Sequence, residues 1–241
     1  MSSILVGGYS FLRTGLTHQY LYRNPRPRLR ILRLILRASM ADDDKQRPET
    51  ENGVVRFPLS PSYSIVIQRG DITKWFVHGS TDAIVNAAEE RMLGGGGVDG
   101  AIHRAAGPDL LQACYNVPEV RPGVRCPTGE ARITPGFQLP VSYVIHTVGP
   151  IYETNSDPEA FLKSAYSNSL KVAKENNVQY VAFPAISCGV YGYPYEEAAT
   201  ISISTVKEFA NDFKEVHFVL YNEDIYNVWL KKANELLQSS I

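Results

Sequence analysis

Cysteine is scarce in this 241-residue chain: Cys114, Cys126 and Cys188 make an odd count with no closely spaced pair. That excludes a disulfide framework and a cysteine-built metal site, and it suits a reducing compartment. The histidines are scattered along the sequence, so no metal site and no cofactor are expected. No apolar run reaches the length of a membrane span. There is no internal repeat. Acidic residues and lysine are missing from residues 1–40, which hold seven arginines, from Arg13 to Arg37. With those seven set aside, 17 basic residues face 25 acidic ones, a formal net charge of -8 for the body. An acidic body argues against a general nucleic-acid binder, because backbone affinity rests on Lys and Arg neutralising phosphates.

An arginine-rich, acid-free stretch with Ser, Thr and apolar residues has the composition of an organellar transit peptide, mitochondrial or chloroplast. If Met40 is the true start, the expectation becomes cytoplasm or nucleus. Residues 41–62 are polar, acidic at Asp42–Asp44 and broken by Pro48, Pro58 and Pro61, and read as a linker. Residues 63–238 read as one domain.

In that domain six or so strands alternate with five helices. The strands are Tyr63–Gln68, Asp82–Ala87, Glu130–Thr134, Ser142–Val148, Val178–Pro184 and Glu215–Tyr221. The helices are Val98–Ala106, one from Pro108, Pro158–Asn176, Tyr195–Phe209 and Asp224–Leu237. Phe161, Ala165, Leu170, Val172 and Ala173 are expected on the core side of the third helix. The central strands are almost wholly apolar, which predicts a sheet covered by helices on both faces.

The chain is organised around Asp82–Gly107. A short apolar strand leads through Gly94–Gly97 into a helix with Val98, Ile102, Ala105 and Ala106 on one face. Asp99 and His103 lie four apart on another. Four glycines together let backbone N–H groups approach a ligand closely, and the helix start behind them favours an anion. Three polar or glycine-rich segments follow directly on strands: Gly70–Ile72, Asn86–Asp99 and Ser187–Tyr193. Ligands gather at the carboxyl ends of such strands, so one cleft for a phosphate-bearing ligand is expected.

Gly95–Gly100 literally fits G-x-G-x-x-G, but a run of glycines fits almost any glycine pattern. Seven residues separate Ala87 from Gly95, where the dinucleotide fingerprint needs a tight turn off the strand. The acidic residue near the required distance, Glu119, sits between prolines. No G-K-[ST] follows, which excludes a nucleotide-hydrolysing P-loop.

Six segments in order carry a resemblance: G-D-I-T from Gly70, D-A-I-V-N-A-A from Asp82, G-G-G-G-V-D-G-A-I-H-R-A-A-G-P from Gly94, C-P-T-G-E-A from Cys126, H-T-V-G-P from His146 and F-P-A-I-S-C-G-V-Y-G-Y-P from Phe183. Together they resemble a macro domain of the MacroD-type class of ADP-ribose-processing enzymes. The resemblance implies a three-layer α/β/α sandwich with a mixed central sheet that binds ADP-ribose. It also implies an enzyme that removes mono-ADP-ribose from acidic side chains or deacetylates O-acetyl-ADP-ribose.

On that resemblance Asp71 and the Ile72 backbone would meet adenine, with Tyr221 packing on the base. Asn86, near the end of the second strand, belongs to the ligand-binding set. Gly95, Gly96, Gly97 and Val98 would wrap the distal ribose and phosphate. Ser187, Cys188, Gly189, Val190 and Tyr191 would close over the diphosphate. Asp99 and His103 would act near the scissile bond.

The sequence departs from the family at N-A-A-N, written here Asn86-Ala87-Ala88-Glu89. Glu89 cannot donate a hydrogen bond when ionised, and it adds a charge near Asp99; it either weakens activity or takes over as base. An enzyme and a non-catalytic ADP-ribose reader both remain open, with Asp99 favouring the enzyme. Each residue alone has a plain structural reading: Asp71 as a helix cap, Asp99 as a dipole partner, His103 as a satisfied histidine. His146 and His217, inside strands, are expected to be structural. A monomer is expected, acting on ADP-ribose, O-acetyl-ADP-ribose or mono-ADP-ribosylated proteins, with no membrane partner.

Overall fold

The computed structural model describes residues 49–51 and 53–238; the expected transit peptide over residues 1–40 lies outside them. An eight-stranded sheet runs in the order β1-β2-β3-β8-β7-β4-β6-β5. Its strands are β1 (Glu49–Glu51), β2 (Val54–Ser60), β3 (Tyr63–Arg69), β4 (Asp82–Ala87), β5 (Ala131–Pro135), β6 (Tyr143–Thr147), β7 (Tyr180–Phe183) and β8 (Glu215–Leu220). The five strands from β3 to β6 in that order are mutually parallel, while β5 and the β1–β2 pair are antiparallel edges.

Helices α1 (Gly97–Ala106) and α2 (Pro108–Asn116) cover one face. Helices α3 (Pro158–Glu175), α4 (Tyr195–Lys207) and α5 (Glu223–Gln238) cover the other. The sandwich is the expected one, and the two-residue strand period shows why. Val85, Ile145 and Phe183 point to the side of Leu162, Tyr166 and Trp229. Ile84, Val144 and Ala182, one residue out of phase, point to the side of Ile102 and Leu110. Strands apolar on both faces have no solvent side and need both helical layers.

Two expectations need correction. The presumed linker contains β1 and β2, so the sheet begins before Tyr63. Pro58 lies beyond the residues that pair with β1, and the β2–β3 register shifts between Pro58 and Ser60, so the strand accommodates the proline at an irregularity near its end. On α3 the core side is Leu162, Ala165, Tyr166, Ser169, Leu170 and Ala173, with Val172 half-buried against it as expected, while Phe161 is half-buried and stands outside that cluster. At the amino edge of the sheet, Asp82 Oδ2 accepts from the backbone N–H groups of Val77, His78 and Gly79 at 2.6, 2.8 and 2.7 Å. This ties the turn before β4 to the strand. At the carboxyl edge, five parallel strands release their loops side by side.

Candidate active site

The loops after β3, β4, β7 and β8 enclose a cleft of two lobes. The larger, ≈ 740 Å³, is bounded by Asp71, Ile72, Arg104, Cys188 and Tyr221. The smaller, ≈ 360 Å³, is bounded by Glu89, Gly95, Asp99, Ser187 and Tyr191. Gly97, Val98, Ala185 and Gly189 belong to both and form the waist between them.

The loop after β3 closes into a single 3-10 turn at Ile72–Lys74. Asp71 Oδ1 accepts from the Thr73 backbone N–H at 3.0 Å and from its hydroxyl at 2.7 Å. The Thr73 hydroxyl, more than any other partner, holds the Asp71 carboxyl below its usual range. Asp71 is therefore both a cap and a wall of the larger lobe. Tyr221, 79 % exposed, stands at its rim.

The glycines position the waist. Gly97 opens α1 at φ +58° and Gly96 caps it without a side chain. A Cβ on Gly100 would overlap the Gly95 carbonyl, so the glycine loop lies directly on the helix. On the opposite wall Ser187 adopts φ +64° and Val190 is 99 % exposed at the loop tip. Gly149, from the loop after β6, lies so close beneath Ser187 that a Cβ would overlap its hydroxyl. Cys188 is buried, which pushes its thiol up to about 12 and removes it as a nucleophile.

Asp99 is the chemical centre of the smaller lobe. Only 4 % exposed, it receives Asn86 Nδ2 on Oδ1 at 2.7 Å, and His103 Nε2 stands 3.5 Å from the same oxygen. Oδ2 has no hydrogen-bond partner among the described residues. Burial raises the Asp99 carboxyl above the ordinary range and Glu89 adds to the rise; Asn86 and His103 pull it back. Burial, with help from Glu89, Glu90 and Asp99, also raises the Tyr191 phenol.

Most of the expected site residues converge here, but two are placed differently. Asn86 and His103 do not line the cleft; both stand behind Asp99, where Asn86 hydrogen-bonds its inner oxygen and His103 lies 3.5 Å from it. Sequence reasoning missed Gly149 and Arg104, and it missed Glu90. The Glu90 carbonyl accepts from Arg125 and Cys126, and its carboxylate accepts from the Thr128 backbone at 3.1 Å. The polar pattern Glu89-Glu90 just after a strand was the available signal.

The histidines are less scattered than the sequence suggests. His103, Cys114 and His146 bring donor atoms within 4.8 Å of one another. His146 Nδ1, however, faces an amide N–H of Asn86 at 3.2 Å, and Nε2 faces the Thr134 hydroxyl at 2.9 Å. Both ring nitrogens are already engaged in hydrogen bonds, so the cluster reads as a hydrogen-bonded layer.

A macro-domain profile matches residues 85–202. A macro domain-containing protein of Vibrio parahaemolyticus is 52% identical over 166 residues, 69% of this chain and 95% of its own. The chain belongs to the macro-domain family. The human ADP-ribose glycohydrolase MACROD2 is 46% identical over 200 residues, 80% of this chain and 44% of the human protein. A variant macrodomain of Oceanobacillus iheyensis, solved with ADPR, superposes with a TM-score of 0.71 at 43% identity. That match covers 77% of this chain and 99% of the bacterial one. In this macro domain the glycine loops, Asp71 and Asp99 are all present, and Glu89 stands where N-A-A-N would end.

Proposed function

We propose that this macro domain binds ADP-ribose across both lobes and hydrolyses an ester at its distal ribose. Adenine occupies the larger lobe beside Asp71 and Tyr221, the diphosphate crosses the glycine waist, and the distal ribose reaches Asp99. The ester is an acidic side chain of a protein or the acetyl group of O-acetyl-ADP-ribose. The likeness to a human ADP-ribose glycohydrolase and to a macrodomain solved with ADPR supports this reading.

The observation that carries it is the buried Oδ2 of Asp99, without a hydrogen-bond partner among the described residues, in the lobe that adjoins the glycine waist. This carboxylate, made more basic by burial, takes a proton from water as the oxygen attacks. For a protein ester the new bond forms at the anomeric carbon, the bond to the side-chain oxygen breaks, and the carboxyl group leaves. For the acetyl ester, water adds to the carbonyl carbon and the ribose hydroxyl leaves. A general base of this kind is worth about 10²–10⁴-fold in rate.

A second reading, a reader with little turnover, is favoured by one observation. Glu89 Oε1 shares the Gly95 edge of the lobe with Asp99 Oδ2, where a second negative charge disfavours an ionised base. The test incubates the full chain with a protein mono-ADP-ribosylated on glutamate, alongside Asp99→Asn. Loss of label in the wild type alone supports the hydrolase; ADP-ribose binding with retained label in both supports the reader. Neither binding nor label loss overturns both. Residues 1–40 we propose as the organellar signal, tested by fusing them to a fluorescent protein.

A further inference from the structure

We propose that His146, which touches no part of the cleft, is a positioning residue that aims Asp99 through a buried hydrogen-bonded relay with Asn86 and Thr134. The proposal rests on the hydrolase reading above and assigns a role to residues that reading does not use.

The sheet builds the relay. Asn86 and His146 are register partners on the parallel strands β4 and β6, so their side chains leave the sheet on the same face. Thr134 on β5 lies two residues from the partner of His146 and shares that face. All three are buried, and Asn86 and His146 are wholly so. Alternative polar partners are few in such a layer, and each donor direction is constrained.

The proton positions then follow. Asp99 Oδ1 needs a donor, which fixes the Asn86 amide with its nitrogen toward the carboxylate at 2.7 Å. The second hydrogen on that nitrogen points at His146 Nδ1, 3.2 Å away, so Nδ1 accepts and carries no proton. Neutral imidazole then bears its hydrogen on Nε2, which donates to the Thr134 hydroxyl at 2.9 Å. Burial keeps the ring neutral, lowering its pKa to about 3. A ring held in this tautomer prevents the Asn86 amide from turning over, and the amide in turn pins Oδ1. Oδ2 is left facing the smaller lobe as the only oxygen of Asp99 free for water.

The relay also tunes the base. The groups that act on the Asp99 charge are Asn86, His103 and Glu89, drawn from β4, α1 and the loop after β4; Cys114 on α2 and Tyr191 in the loop after β7 feel that charge and are raised by it. Asn86 is the strongest of those that stabilise its ionised form. Loosening the amide weakens that stabilisation, so the acid limb of the rate profile moves to higher pH.

The first measurement needs no variant: nitrogen-15 shifts of His146 in the full chain, which distinguish the Nε2–H tautomer from the Nδ1–H one. A protonated Nδ1 overturns the relay. The second compares His146→Asn, whose amide oxygen takes the place of Nδ1, with His146→Phe, which has no acceptor. The phenylalanine variant is expected to lose about tenfold in kcat, roughly one buried hydrogen bond, with ADP-ribose affinity retained and the acid limb shifted upward. The asparagine variant is expected to restore most of both.

A purely structural role would lower the melting temperature of both variants and leave the limb in place, which overturns the proposal. Should His146→Phe fail to fold, Thr134→Val removes the Nε2–H acceptor and is expected to shift the limb in the same direction. A limb unchanged in that variant also overturns it. If the wild type binds ADP-ribose without hydrolysing any ester, the functional reading fails while the tautomer measurement still decides the relay.

Discussion

Glu89 and Asp99 flank one point in the smaller lobe: a Cβ on Gly95 would lie 3.1 Å from Glu89 Oε1 and 3.2 Å from Asp99 Oδ2. Two carboxylates therefore face the same small volume, one on an exposed loop and one buried at the start of a helix. Their repulsion adds to the burial that already raises the Asp99 carboxyl.

Glu89→Asn removes that repulsion. ADP-ribose, an anion, is expected to bind about threefold tighter or more, since like charges a few ångströms apart cost on the order of 1 kcal/mol even in water. The acid limb of hydrolysis is expected to move to lower pH. Titration calorimetry at low and high salt checks the first, because added salt screens the wild-type penalty and narrows the gap. Equal affinities at low salt would contradict it.

Asp99→Asn is expected to abolish most hydrolysis, by about 10²–10⁴-fold, while retaining ADP-ribose binding. It is also expected to stabilise the fold at neutral pH. The folded-state pKa of Asp99 lies above its unfolded value, so the native protein binds the extra proton between the two values and loses stability as pH rises through them. The asparagine carries no such penalty. Melting curves are expected to show the variant ahead at pH 7 and level with the wild type once Asp99 is protonated.

Tyr221→Ala tests the larger lobe. An aromatic ring 79 % exposed contributes little to the core, so the melting temperature is expected to stay within a degree or two of wild type. Stacking on a base is worth about 1–3 kcal/mol, so ADP-ribose affinity is expected to fall about tenfold or more. Distal ribose phosphate lacking adenine is expected to bind both proteins equally.

Gly149→Ala tests the support beneath the second loop. The added methyl would overlap the Ser187 hydroxyl and come within 2.5 Å of Ile186 Cγ2, so the loop must move. The folded variant is expected to lose at least about tenfold in ADP-ribose affinity, the scale on which a small misplacement of a binding group is felt. An unchanged dissociation constant would show that the loop tolerates displacement.

The buried histidines contribute to the acid side of stability, alongside carboxylates such as Glu215 that are lowered in the folded state. His217 is held neutral by burial against the pull of Glu215, and His146 falls to about 3. Both folded values lie below about 6.5, so the unfolded chain takes up more protons as pH drops, and stability falls below that point. Asp99 acts in the opposite sense. The contribution of His217 is therefore isolated by comparing urea unfolding of the wild type and His217→Gln at pH 7 and pH 5. The wild type is expected to lose more stability between the two.

The sequence by itself determined the layers and the cleft. Apolar strands with no polar face need helices on both sides. Four glycines before an amphipathic helix mark a close backbone approach, and the ordered motifs name the family. Strand β4 begins and ends, and helix α2 begins, where the sequence pattern places them, because caps, prolines and periodicity are local properties. Strands β1 and β2 escaped notice because whether a proline interrupts a ladder depends on which neighbour pairs beside it. The active-site layer was equally hidden. Asn86 and His146 lie 60 positions apart, and only the register of β4 against β6 brings them together. His103 has helical spacing that places it beside Asp99, but not behind it. Which oxygen of Asp99 is free, and which residues hold the other, follows from side chains packed across three strands, and only the tertiary structure decides such contacts.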